Sequence, residues 1–160
     1  MGEKMEIIEV KQEDLERCVE VIFETEMGRK YYPTKAALYS EVEKGMLRDK
    51  FYAAKNYNGE IIGVLWYQQE GMFHSFPYLH IIAVKRNYQH QGIGKKLLDF
   101  FEREALANGK NHLRTKVFLT VGDFNENAVK IYKARGYIKL CEIEGLFRKN
   151  IVENIFMNFN

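Results

Sequence analysis

Two glycines between a strand and a helix are the residues of this sequence best placed to do chemistry. They stand in Gln89-His90-Gln91-Gly92-Ile93-Gly94, just ahead of Lys95. The first turn of a helix leaves N–H groups without partners and carries the positive end of the helix dipole. Glycine lets the backbone approach a ligand closely and take dihedrals that a Cβ forbids. A strand, a glycine-punctuated turn and a helix N-terminus therefore make a place to hold a phosphate or pyrophosphate. The Walker pattern fails here, because Gly94-Lys95 is followed by Lys96 and not by a metal-binding hydroxyl. The dinucleotide fingerprint fails as well, since Leu97 stands where its third glycine belongs. An ordinary strand-to-helix loop that uses glycine for a tight bend is the competing reading.

His80 is a second candidate, a titratable ring inside the apolar run 79–84. An unperturbed pKa of about 6.5 suits proton acceptance at neutral pH. The alternative is a half-buried histidine satisfied by its neighbours. Glu70 and His74 are weaker candidates for the same task. Further on, Asp123 with Glu126 has the form of a capping box, and Asn125 is also well placed as a cap. Ala128, Ile131 and Tyr132 are expected to share one helix face, on which Tyr132 reads most simply as a core aromatic.

The elements that must position these residues follow from hydrophobic periodicity. Strands are expected at 6–10, 51–57, 60–68, 78–84, 113–121, 137–142 and 151–159. Helices are expected at 13–25, 34–44, from 93 to about 108–109, and from 123–125 to Gly136. Leu15, Cys18, Val19, Ile22 and Phe23 form the buried stripe of the first helix. Ala37, Leu38, Val42 and Met46 form that of the second. Ile93, Gly94, Leu97, Leu98, Phe101 and Ala105 form that of the third, with Lys95, Lys96, Asp99, Glu102 and Arg103 on its other side. Asn58-Gly59 marks a hairpin. The segment 26–33 breaks the helical pattern, and 70–77 reads as a loop. A mixed sheet with helices on its faces accounts for this order, its parallel pair being the strands on either side of the third helix.

A chain of 160 residues is expected to form one domain over 1–160. Apolar and charged fractions of 46% and 29% belong to a folded globular protein, and a net charge of +2 gives no argument for nucleic acid or an anionic membrane. No apolar run reaches membrane-spanning length, and the first residues lack a signal peptide's apolar region. Cys18 and Cys141 show no metal or redox spacing; both are expected to be buried thiols in a reducing compartment, the cytoplasm.

The two motifs together resemble the signature regions of the GCN5-related N-acetyltransferase (GNAT) superfamily. The first signature, [RQ]-x-x-G-x-[GA] after a strand ending in an Ala-Val-like pair, is matched by Ala83-Val84 and Gln89 to Gly94. The second, N-x-x-A-x-x-x-Y-x-x-x-G-[FY], is matched by Asn125, Ala128, Tyr132, Gly136 and Tyr137. Gln89 stands where arginine is more common. The resemblance spans essentially the whole chain and implies a single α/β (α+β) GNAT-like domain with a mixed sheet of about seven strands.

The resemblance further implies acetyl-coenzyme A as co-substrate, with no metal, lying in a V-shaped gap between the strands 78–84 and 113–121. Backbone groups of Ile82, Ala83 and Val84 would pair with the pantetheine amides. Amides of Gln89, His90, Gln91, Gly92, Ile93, Gly94 and Lys95 would hold the pyrophosphate. Asn125 and Ala128 would meet the pantetheine arm, and Tyr132 would sit beside the thioester sulfur as general acid. A backbone N–H near Ile82 is the expected oxyanion donor. For the base, 78–84 is similar to arylalkylamine N-acetyltransferases, which carry His-x-His on this strand, Tyr78 replacing the first histidine; the alternative to His80 is a bound water. Cys18 and Cys141 lie outside both motifs, so direct transfer in a ternary complex is expected. The acceptor is a primary amine, a small molecule in preference to a protein or peptide; a sensor that binds acyl-coenzyme A without turnover is the rival. Tyr31, Tyr32, Met72, Phe73 and Phe76 flank the expected acceptor cleft and hint at an apolar or flat acceptor, or else at a homodimer interface.

Overall fold

The computed structural model describes residues 4–108 and 116–159. Seven strands among them form one mixed sheet: β1 (Glu6–Glu9), β2 (Lys50–Lys55), β3 (Ile61–Met72), β4 (Phe76–Val84), β5 (Lys116–Gly122), β6 (Ile138–Glu144) and β7 (Val152–Phe159). Their order is β1-β2-β3-β4-β5-β7-β6. β4 and β5 run parallel, as expected for the pair joined by the long helix, with Tyr78 opposite Phe118 and Leu79 opposite Leu119. The helices are α1 (Leu15–Glu24), α2 (Glu26–Tyr31), α3 (Lys35–Met46), α4 (Ile93–Ala107) and α5 (Glu126–Ala134).

The chain divides into two compact units. The first comprises Met1–Tyr67 and Ile81–Phe101. Its core is built by Leu15, Cys18, Val19 and Ile22 of α1 and Leu38 and Val42 of α3. They pack with Phe51, Ala53, Val64, Trp66, Ile81 and Ala83 of the strands. Each fully buried Leu, Ile, Val or Phe among them contributes about 1.5–3 kcal/mol. Thr34 caps α3 by accepting the Ala37 N–H at 3.1 Å. The Asn58-Gly59 hairpin forms as expected: Gly59 has φ 78°, and Asn56 Oδ1 accepts the N–H groups of Asn58 and Glu60.

The second unit comprises Gln68–His80 and Glu102–Asn160. Leu79, Val117, Leu119, Val121, Tyr137 and Phe156 are buried in it. β7 pairs antiparallel with both β5 and β6.

Several expectations need correction. The segment 26–33 contains a helix, α2, because Thr25 caps it through the Gly28 N–H at 3.0 Å. β3 and β4 run on through most of 70–77, leaving a tight turn with positive φ at Phe73 and His74. Glu70 and Met72 therefore lie on β3 and Phe76 on β4, while Tyr31 ends α2. Asn125, not Asp123, caps α5, with its Oδ1 accepting the Ala128 N–H at 3.3 Å. Ile131 is exposed, so Ala128 and Tyr132 share their half-buried face with Val129 instead. Cys141 is exposed on β6, and only Cys18 is buried. The expected close of α4 at Gly109 and the expected strand start at 113–115 lie outside the described residues.

Candidate active site

The first motif is built within the first unit. β4 ends at Val84, and a single 3₁₀ turn, Arg86–Tyr88, leads into the glycine segment. Glu60, just past the hairpin turn, fixes the near leg of this corner. Its carboxylate takes an ion pair from Lys85 and a hydrogen bond from Tyr88 Oη at 3.0 Å. Asn56 Nδ2 adds a contact to Glu60 at 3.3 Å. These hydrogen bonds, the Lys85 one first and the Tyr88 one next, hold the Glu60 carboxyl below its ordinary pKa, and Glu60 raises that of Lys85 in turn.

Beyond the corner, Gln89 Nε2 donates to the carbonyl of Val84 at 3.0 Å, and Gln91 Nε2 donates to that of Asn87 at 3.2 Å. His90 and Gly92 take positive φ, 63° and 84°. At Gly92 no atom lies within 4 Å of the place a Cβ would occupy. Its glycine is thus required by the backbone and leaves clear space above the turn. Gly94 differs: a Cβ there would meet only Val84 Cγ2, at an ordinary 3.7 Å. The Lys96 N–H reaches the Gly92 carbonyl at 3.1 Å as the first such bond of α4. The N–H groups ahead of it in the turn point out of the helix. Gln89, His90, Gln91, Gly92, Lys95 and Lys96 are exposed, Ile82, Val84 and Gly94 are half-buried, and Ala83 and Ile93 are buried. This cradle suits an anionic diphosphate, so the residues present fit the cofactor that the motif implies.

The second motif lies in the second unit. Tyr132 is half-buried on α5, with its ring 5.4 Å from that of Tyr137 at 64°. Tyr137 donates its hydroxyl to Glu102 Oε1 at 2.9 Å, and Arg135 Nη2 holds Glu102 Oε2 at 2.6 Å. The Tyr132 carbonyl accepts from both Arg135 and Tyr137 N–H groups, closing the helix end against Gly136 at φ 95°. Burial pushes the Tyr132 phenol up to about 12, with Arg135 opposing and Glu102 adding to the rise. At that value the phenol stays protonated throughout the physiological range. Burial, with the Glu102 charge and hydrogen bond, also raises the pKa of Tyr137.

His80 is half-buried on β4, its ring centroid 6.1 Å from that of Tyr78. Tyr78 Oη lies 2.8 Å from Thr120 Oγ1 on β5. Sequence reading missed three residues near these groups. Helical spacing puts Glu102 on the far side of α4 from its apolar stripe, yet it anchors Arg135 and Tyr137. Thr120 is polar between the buried Leu119 and Val121. Glu153, buried on β7, stands among Val152, Ile155 and Phe156, and an acid in such company was a signal available in the sequence.

Comparison with known proteins agrees with this arrangement. The family model described as the acetyltransferase (GNAT) family matches residues 13–137. An uncharacterized N-acetyltransferase of the pepI 3′ region in Lactobacillus delbrueckii subsp. lactis is 26% identical over 156 residues, covering 86% of this chain and 87% of that protein. The thialysine N-epsilon-acetyltransferase of Bos taurus is 43% identical over 68 residues, 42% of this chain and 38% of that one. The crystal structure of a GNAT-family acetyltransferase from Bacillus cereus superposes with a TM-score of 0.74 at 19% identity, covering 98% of each chain, a likeness of fold. With a glycine cradle at the head of α4, a capped α5 carrying Tyr132, and a family match over both, the chain belongs to the acetyltransferase (GNAT) family.

Proposed function

We propose that this N-acetyltransferase moves the acetyl group of acetyl-coenzyme A directly to a primary amine within a ternary complex, with a small molecule as the favoured acceptor. The observation that carries the reading is the turn at Gly92, where a positive φ, empty space above the backbone and a helix N-terminus coincide. The relative named for thialysine, a small amine, matched over 68 residues, favours a small acceptor over a protein.

In this reading acetyl-coenzyme A supplies an acetyl group already activated as a thioester. Ile82, Ala83 and Val84 hold its pantetheine arm by their backbone groups. The Val84 carbonyl also bonds Gln89, so the strand end is fixed before the cofactor arrives. Gln89 to Lys95 bind the pyrophosphate. Asn125 uses Oδ1 to cap α5 and offers its Nδ2 to the arm, with Ala128 beside it. Tyr132, protonated, gives its proton to the departing sulfur. His80, or a water held near it, takes the proton that the amine must lose, since an alkylamine with a pKa of about 10.4 is almost wholly protonated at neutral pH. Two free thiols favour the cytoplasm as its location.

Release of free coenzyme A thiol, measured across a panel of amines and peptides, tests the proposal. Thiol release with at least one small primary amine is expected. Binding of acetyl-coenzyme A without release for any acceptor would contradict it and mark the protein as a sensor.

A further inference from the structure

Little apolar packing holds α5, the helix that carries Tyr132. It has nine residues and no fully buried side chain, Ala128, Val129 and Tyr132 being half-buried. A helix this short owes its place to tertiary contacts, not to its own propensity. Asn125 caps its N-terminus locally. Its C-terminus is gripped by Glu102, a residue of α4 within the same compact unit. Arg135 Nη2 donates to Glu102 Oε2 at 2.6 Å and Arg135 Nε to Oε1 at 3.4 Å, so the guanidinium meets the carboxylate at two points. Tyr137 Oη donates to Oε1 at 2.9 Å.

The side chains of Glu102 and Arg135 are only 16% and 18% exposed. Desolvation offsets much of the attraction in such a pair, so the grip contributes direction more than stability. Two-point contact with a planar guanidinium, and a hydroxyl bond beside it, each fix an orientation. Both gripped residues act on Tyr132. Their backbone N–H groups donate to the Tyr132 carbonyl at 3.1 and 3.0 Å. Tyr137, 3% exposed, sets its ring edge-on to that of Tyr132 with the centroids 5.4 Å apart. Burial is the foremost cause of the raised Tyr132 pKa, and behind it the Arg135 and Glu102 charges act in opposite senses.

We propose that Glu102 is a positioning residue for acetyl transfer: through Tyr137 and Arg135 it fixes the Tyr132 ring at the angle from which its hydroxyl serves the departing sulfur. The inference rests on the acetyltransferase reading and on Tyr132 as its proton donor. In that step the Tyr132 O–H bond breaks and its proton goes to the sulfur as the C–S bond breaks. A proton from water then restores the phenol. Glu102 touches neither reactant and acts only through the two residues it holds. Misplacing a reacting group by about 1 Å can cost a hundredfold in rate, and a ring released on an intact helix moves less than that.

Single-turnover release of coenzyme A thiol, with the best acceptor of the amine and peptide panel, tests this in a double-mutant cycle with Tyr132→Phe. Glu102→Ala should lower that rate about tenfold while leaving the dissociation constant for acetyl-coenzyme A unchanged. In the Tyr132→Phe background, where no phenol remains to be aimed, the same substitution should change the rate by less than about twofold. A residue that only stabilised the fold would lower Tm and leave the rate per folded molecule unaltered in both backgrounds. Should Glu102→Ala fail to fold, Tyr137→Phe keeps the ring and the Glu102–Arg135 pair and removes one hydroxyl bond. Its expected fall is about threefold, again absent without the Tyr132 hydroxyl. Glu142→Gln, which removes an exposed carboxylate paired with Lys139, should change nothing. An unaltered rate in the folded variant, or an equal fall in both backgrounds, would overturn the inference with the transferase reading intact. Full turnover in Tyr132→Phe would end the roles of Tyr132 and Glu102 together, and wild-type protein that releases no thiol would end the transferase reading with them.

Discussion

The side-chain amide of Gln89 returns to the carbonyl oxygen of Val84 at 3.0 Å, so the last residue of β4 and the first of the glycine turn share one corner. Arginine, more common here in the family signature, brings charge; glutamine here brings a fixed geometry. A hydrogen bond of this kind is worth about 1 kcal/mol, or about fivefold in an equilibrium constant. Gln89→Ala is expected to raise KM for acetyl-coenzyme A about fivefold with kcat nearly unchanged, as initial rates at saturating amine will show.

Tyr132 leads to a sharper expectation. Burial, the foremost cause, lifts its phenol to about 12, so it stays protonated until the pH nears that value. The rate should therefore show no alkaline limb from Tyr132 across the usual assay range. Tyr132→Phe should lower kcat about a hundredfold, the scale of acid–base catalysis, with cofactor affinity retained. Full turnover in that variant would remove the role.

Asp14 governs stability toward acid. Burial alone would raise its pKa, but the Lys11 N–H, Lys55 and Arg17 outweigh it and leave the carboxyl below its ordinary value. Arg17 and Lys55 lie 2.8 and 3.3 Å away. A folded-state pKa below the unfolded value of about 3.9 means the contribution is complete above that pH and fades as pH falls through the folded value. Asp14→Asn should cost about 2–3 kcal/mol at pH 7 and flatten the loss of stability below pH about 4, measured by urea unfolding from pH 7 to 3.

The two family motifs are legible because their signals are local: glycines, caps and helical spacing lie within a few residues of one another. The mixed sheet and its parallel pair follow from the same local signals, and the hairpin from Asn58-Gly59, whereas the insertion of β7 between β5 and β6 does not. What escaped depends on contacts distant in sequence or on very short elements. α2 has six residues and a glycine in its middle, so no periodicity announces it. Helical spacing puts Glu102 on the solvent side, yet Arg135 and Tyr137, more than thirty positions away, claim it. Cys141 sits in an apolar-looking segment, but β6 ends the sheet and leaves it exposed. Burial on an edge strand depends on what covers it, which spacing along the chain does not encode.

The two cysteines should differ in reactivity accordingly. Cys18 is buried, and burial pushes its thiol up to about 12, whereas Cys141 is exposed. Titration with a chromogenic disulfide should count one reactive thiol in the native protein and two in denaturant, and Cys141→Ser should abolish the native signal.

If the turn at Gly92 grips the diphosphate of acetyl-coenzyme A, as proposed, thermal unfolding with and without that ligand will register it. At a hundred times its dissociation constant, a ligand confined to the native state adds about 2.7 kcal/mol. Wild-type protein and Gly94→Ala, whose added methyl meets only Val84 at 3.7 Å, should both show the resulting rise in Tm. Gly92→Glu, which places a charged side chain at φ 84°, should fold with a lower Tm and show no rise. Absence of a rise in the wild type, or an equal rise in Gly92→Glu, would contradict the account.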